Sequence, residues 1–310
     1  MARTGDVARA VEIPGPWVHR HVAANGARFH LAECVPAGAP NAPLVLLLHG
    51  FPAFWWSWRA QLPVLADAGF RAVAMDLRGY GSSDKTPDGY DPFTLTQDVA
   101  GVVKALGERQ AVLVGQGWGG YVAWATAVLH PREVSSLCAV AAPHPLVMLR
   151  AMARHPRVGA LGHVLAMQVP MRPERRLADA TSGYLAGHLT RWSGPESAFP
   201  DEEAVSTYQS AIGLWPAPHC ALEYHRWLVR SRLRSDGRSF SRRMREPVRQ
   251  PVLSVIGAED PALPRGAVVG SRRHVVGPIT EHTLPGVGHF PPEEDPEAFA
   301  SALLPWLATR

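Results

Sequence analysis

The apolar residues of this chain follow two rhythms. Near the start, "WVHRHVAANGARFHLAECV" (residues 17–35) alternates apolar and polar side chains on both sides of Asn25-Gly26. Alternation is the period of a strand with one covered face, and Asn-Gly closes two-residue hairpins, so a β-hairpin is expected. Its alternation puts His19, His21 and His30 on one exposed face. From Pro43 the rhythm changes to short continuous apolar runs: "PLVLLLHG", "RAVAMDLRG", "AVLVGQ" and "VSSLCAVAAP". Such runs fit strands buried on both faces. Helical spacing separates them, at about Trp58 to Ala68, in "TLTQDVAGVVKALG" up to Gly107, and in "WGGYVAWATAVLH". Strand and helix in alternation predict an α/β fold with a doubly wound, mainly parallel sheet.

The alternation stops at about His144. Up to Glu246 there are helical stretches, prolines and arginines, but no comparable strand. It resumes with "PVLSVIGAED", "HTLPGVGHF" and the helix "PEAFASALLPWLA". The expected organisation is one α/β core made of residues 1–143 and 247–310, with a helical cap, residues 144–246, inserted in it. A chain of 310 residues is long enough for this.

Composition adds little to that picture. At 46% hydrophobic and 19% charged residues, the chain suits a soluble globular protein. No run of 18 apolar residues is present, so no membrane span is expected. "MARTGDVARAVEIPGP" lacks the apolar stretch of a signal peptide, and Cys34, Cys138 and Cys220 are too scattered for a disulfide framework. A cytoplasmic location with packed, reduced thiols is the expectation. The net charge is only +4, with lysine confined to Lys85 and Lys104. One segment is denser in arginine, "HRWLVRSRLRSDGRSFSRRMREPVRQ" (residues 225–250). Its plainer reading is a solvated helix face and linker; the sharper one is an anionic partner or membrane surface. No aromatic series accompanies the arginines, which argues against single-stranded nucleic acid. Neither nucleic acid nor membrane is expected as a partner, and a homodimer stays open.

In open parallel sheets the reactive groups gather at the C-terminal ends of strands. Those ends here carry "HGFPAFWWSWR", "DLRGYGSSDK", "GQGWGG", "GAEDPALP" and "GVGHFPPEEDP". In this order and at these intervals, from about Trp17 to the C-terminus, the chain resembles the α/β-hydrolase family, in its branch of epoxide hydrolases and haloalkane dehalogenases. The resemblance implies the α/β-hydrolase fold with a cap. It makes Asp260 the triad acid and His289 the triad base. It assigns the backbone N–H groups of Phe51 and Trp118 to an oxyanion hole, and puts Trp55 and Trp118 in the pocket. Two such N–H groups stabilise negative charge where it develops.

The chain departs from this pattern at the nucleophile elbow. Its central position is Gly117, where epoxide hydrolases carry aspartate and esterases serine. No covalent ester can form there. Gln116 is the nearest polar side chain. Epoxide hydrolases also use two cap tyrosines to hold the epoxide oxygen. "GHVLAMQVPMRPERR" puts His163 at one of these positions, and "ALEYHRW" puts His225 at the other with Tyr224 beside it. The substrate implied is a small hydrophobic molecule, and no cofactor is implied. Three functions follow. The His289–Asp260 dyad would act as general base on water, or on a substrate proton as in a lyase, isomerase or cofactor-free oxygenase. Alternatively, the chain is a non-catalytic binding protein for a small ligand. A metal held by His163, His225 and His289 is the weakest idea, because the three lack metal-ligand spacing.

Overall fold

Asn25 and Gly26 both take positive φ, 44° and 73°, and the first two strands fold back on each other across them. This is the backbone that an Asn-Gly turn supplies at little cost. The computed structural model describes residues 11–39, 41–154, 159–263 and 266–310. The hairpin strands are β1 (Val18–Ala24) and β2 (Ala27–Cys34), paired in register from Val18–Glu33 to Ala24–Ala27. Burial corrects the expected exposure of the hairpin histidines. His21 is exposed and His19 is half-buried, while His30 is completely buried. The His30 Nδ1 lies 2.8 Å from the Asp76 carboxylate and its Nε2 lies 2.9 Å from His19. The alternation did put the three rings on one face. At His19 and His30 that face is covered by the Asp76 loop and by Trp55.

The continuous apolar runs become β3 (Leu44–Leu48), β4 (Arg71–Met75), β5 (Ala111–Gln116), β6 (Val134–Val140) and β7 (Val252–Gly257), followed by β8 (Ile279–Leu284). The eight strands form one sheet in the order β1-β2-β4-β3-β5-β6-β7-β8. Strand β2 runs antiparallel to β1 and β4, and all later pairs are parallel. Every residue of β3 and β5 is buried, as strands covered on both faces require. β5 lies beside β3 although β4 intervenes in sequence, so the chain reverses its direction of travel across the sheet there. The crevice at such a reversal is where open α/β sheets bind ligands.

The core helices are α1 (Gln61–Asp67), α2 (Pro92–Ala105) and α3 (Trp118–Leu129). Asp91 caps α2 by accepting from the N–H groups of Phe93 and Thr94, with Pro92 at the first helical position. Between β6 and β7 the described residues form no strand but seven α-helices: α4 (Pro145–Arg154), α5 (Gly159–Ala166), α6 (Arg172–Ala178), α7 (Tyr184–Trp192), α8 (Glu202–Ile212), α9 (Ala217–Arg230) and α10 (Ser235–Arg243). Three helices follow β7: α11 (Ala267–Ser271), α12 (Pro291–Glu294) and α13 (Pro296–Leu307). Helix α9 ties the helical insertion together. Its buried Arg226 donates to Glu174 of α6 at 2.6 Å and to the backbone of Met167 and Val169. The Tyr224 hydroxyl donates to the Arg78 carbonyl of the core at 2.8 Å. The three thiols, Cys34 on β2, Cys138 on β6 and Cys220 on α9, are unpaired and buried. No helix is long and apolar enough to cross a membrane among the described residues.

Candidate active site

The elbow between β5 and α3 is built from glycines. A Cβ on Gly119 would fall 2.1 Å from the Leu48 carbonyl oxygen, and one on Gly115 would fall 2.4 Å from that of Gly119. Strand, turn and helix therefore pack at backbone distance. The central residue, Gly117, has φ 52° and ψ −114°, a conformation that strains any side-chain-bearing residue. The space is nonetheless open at this one position. A Cβ on Gly117 would lie 3.5 Å from His289 Nε2 and 3.7 Å from Gly50 Cα, ordinary contact distances.

His289 faces that space. Its Nδ1 is 2.8 Å from the Asp260 carboxylate, which fixes that nitrogen as the N–H and leaves Nε2 as a lone pair. Its own backbone N–H donates to the Trp192 carbonyl at 2.7 Å, and the Trp192 indole meets its ring edge-on at 4.9 Å. Glu294 holds the same loop. Its carboxylate accepts the N–H groups of Gly288 and Phe290, and of Gly194 just beyond α7.

A cavity of about 90 Å³ opens over the elbow. It is lined by Gly117, Phe51, Trp118, His163, His225 and His289 together with apolar side chains of the insertion. The room suits several waters or a small organic molecule. Its imidazoles are linked. His225 donates from Nδ1 to the Ala221 carbonyl one turn back at 3.2 Å, so Nε2 is its acceptor. That nitrogen receives the Trp118 indole N–H at 2.9 Å and lies 3.3 Å from His163 Nε2. His163 is then the donor of that contact. Burial holds His225 down to about 4, and pushes His163 and His188 well below the ordinary imidazole value. At neutral pH these three rings are uncharged.

Three of the residues expected in the pocket lie elsewhere. Trp55 is fully buried behind the loop after β3, where its indole donates to the Val11 carbonyl and packs against Trp17 and His19. Tyr224 points back to Arg78 and the rings of Tyr80 and Tyr90. Gln116 sits behind the dyad, donating to the His289 carbonyl at 2.9 Å, and lines a separate cavity of about 10 Å³. Phe51, Trp118, His163 and His225 line the main cavity with Gly117 and His289, and Asp260 stands behind His289. The contact between His163 and His225 joins them to each other. Among the described residues, no group of three or more His, Cys, Asp or Glu is arranged to hold a metal ion.

The sequence reading missed Trp192 and His188. Trp192 lines the cavity, and His188 stacks on His163 at 4.8 Å and packs against Phe51. In "YLAGHLTRW" the residues Leu185, His188, Leu189 and Trp192 recur at helical spacing, so the inward face of α7 was legible.

Comparison with known proteins agrees with this fold. The pattern of the alpha/beta hydrolase family matches residues 45–302. The AB hydrolase superfamily protein YfhM of Bacillus subtilis is 34% identical over 254 residues, covering 81% of this chain and 84% of that protein. Epoxide hydrolase 3 of Xenopus tropicalis is 32% identical over 290 residues, covering 88% and 72%. The solved epoxide hydrolase from an endophytic Streptomyces superposes with a TM-score of 0.82 at 30% identity, over 95% of this chain and 96% of that one.

Proposed function

The chain belongs to the alpha/beta hydrolase family, as an epoxide hydrolase-like member, and on that premise we propose that it works without a covalent nucleophile. His289, oriented by Asp260, is the general base. Its Nε2 takes a proton from a water, or from a small hydrophobic substrate, lodged in the space beside Gly117. The N–H groups of Phe51 and Trp118 stabilise the negative charge that develops. One observation carries this reading: a hydrogen-bonded dyad whose free nitrogen lies 3.5 Å from where a side chain on Gly117 would begin.

The linked imidazoles alter one part of the sequence expectation. The Nε2 of His225 already accepts from Trp118, and the His163 Nε2 is turned toward it. In the neutral state the His225 Nε2 carries no N–H and the N–H of His163 Nε2 is already directed at His225, so neither is free for an epoxide oxygen. The two rings replace the tyrosines in position and not in donor capacity. This supports a proton-abstracting role over epoxide opening.

The test compares the natural chain with His289→Ala and Gly117→Asp. The natural chain turns over styrene oxide and aryl esters negligibly, and forms no ester that mass spectrometry traps. Substrates found by screening lose about 10²–10⁴-fold in rate on His289→Ala. A trapped ester on the natural chain, or unchanged turnover without His289, refutes the proposal. The missing nucleophile also favours a second reading, a non-catalytic protein that binds a small ligand in the same cavity. Under that reading ligands bind the natural chain and His289→Ala alike, and none is turned over.

A further inference from the structure

The arginines of residues 225–250 fall into two groups. Arg226 and Arg230 pair with Glu223, Arg226 also with Glu174, and Arg243 with Glu246. Arg232, Arg234, Arg238, Arg242, Arg245 and Arg249 make no ion pair within 4 Å among the described residues. Four of these, Arg232, Arg238, Arg242 and Arg245, and none of the paired ones, line a single cleft of about 360 Å³ between α9 and α10. Among the described residues, no acidic side chain lines it. Its floor is apolar, with Trp227 and Phe240 packed edge to face at 5.4 Å. The cleft thus offers several charged donors, with no carboxylate among its described lining to receive a cation.

Like charges converge in this way only at a cost in repulsion, which an anion relieves. A guanidinium fork matches a phosphate in geometry as well as in charge. We propose that this cleft is a binding site for a phosphate-bearing ligand, held by Arg232, Arg238, Arg242 and Arg245. The volume exceeds that of a lone ion, so the ligand is a diphosphate or a phosphate ester, free or presented as a lipid headgroup. The concave shape, set apart from the elbow, separates it from a generally basic face. Leu228 lines both this cleft and the cavity over the elbow, and the site is otherwise independent of the dyad.

Calorimetric titration of the full chain with inorganic pyrophosphate at low salt tests the free form. Sedimentation with phosphatidylcholine vesicles, plain or doped with phosphatidic acid, tests the lipid form. The variant is Arg238→Ser with Arg242→Ser. An equal change of charge, Arg109→Ser with Arg132→Ser, is the control. The site predicts one pyrophosphate per chain, weakened about tenfold or more by the cleft pair and little by the control. Vesicle binding that needs phosphatidic acid, is lost in the cleft pair and is competed by pyrophosphate assigns the ligand to a lipid. Pyrophosphate binding without sedimentation assigns it to a free phosphate. The proposal is overturned if neither probe binds, or if the cleft pair and the control weaken binding equally. The four arginines are exposed, so their replacement leaves the fold intact, which circular dichroism verifies.

Discussion

Gly117 separates two demands that a nucleophile elbow normally forces together. A side chain at φ 52° and ψ −114° carries strain of order 1–3 kcal/mol, and glycine removes it. Gly117→Asp is therefore expected to lower unfolding stability by about that amount, measured by urea titration. It should also form an ester detectable by mass after exposure to an epoxide, since the carboxylate has room beside His289. A second residue-scale prediction concerns acid. Burial holds His225 at about 4, against 6.5 for the ordinary imidazole. Between those values the unfolded chain binds more protons than the folded one, so stability rises with pH and is lost on acidification. His163 and His188 are shifted in the same direction. Unfolding midpoints measured from about pH 7 down to about pH 5 should fall steeply, and less so in His225→Gln. Equal slopes would show that His225 is not held neutral by the fold. At this scale the sequence was legible where the backbone sets direction. Asp260 and His289 follow strands, and their positions bring them together. Trp55 was misplaced because its motif does not say which way the ring turns. Tyr224 and His225 are neighbours on a helix, about 100° apart, so only one of them faces the cavity.

Between elements, two consecutive glutamates join the insertion to the dyad. Glu294 accepts one N–H from the end of α7 and two from the His289 loop. Glu293 receives Arg59 at 2.7 Å and the hydroxyl of Tyr208 on α8, while desolvation raises it to about 7. Hydrogen bonds to a charged acceptor contribute about 1.5–3 kcal/mol each. Glu294→Ala should thus lower stability by several kcal/mol in thermal unfolding, and slow any His289-dependent reaction more than Glu294→Gln does. Equal effects of both variants on rate would leave Glu294 with a packing role alone. The strands β3 to β7 were readable from their unbroken apolar runs, and α2 from its helical spacing up to Gly107. These glutamates were not, because "PPEEDP" reads equally well as a helix start.

Across the whole molecule, the order of the sheet explains why the chemistry collects where it does. β3 and β5 meet at the reversal of the chain, and the loop after β3 and the elbow after β5 leave the sheet side by side there. The change of rhythm at about His144 was visible in sequence, as was its return after Glu246. The arrangement of the seven helices between was not, because it depends on contacts such as Arg226 with Glu174, far apart in the chain. Breaking that buried pair by Glu174→Ala should cost about 3–5 kcal/mol, since it leaves a guanidinium without its carboxylate. A denaturant titration that shows less than about 1 kcal/mol would mean that the charge has found water.

The three buried thiols give the fold a set of internal clocks. Cys34 marks the hairpin edge, Cys138 the middle of the sheet and Cys220 the helix that clasps the insertion to the core. Burial raises the pKa of each, Cys34 to about 11, so the reactive thiolate is scarce until the surroundings open. Alkylation followed by peptide mapping would time each opening separately. If the insertion swings away to admit a ligand, Cys220 is modified first. Cys138 waits for the whole sheet to come apart, and the interval between the two measures how independently the lid moves from its base.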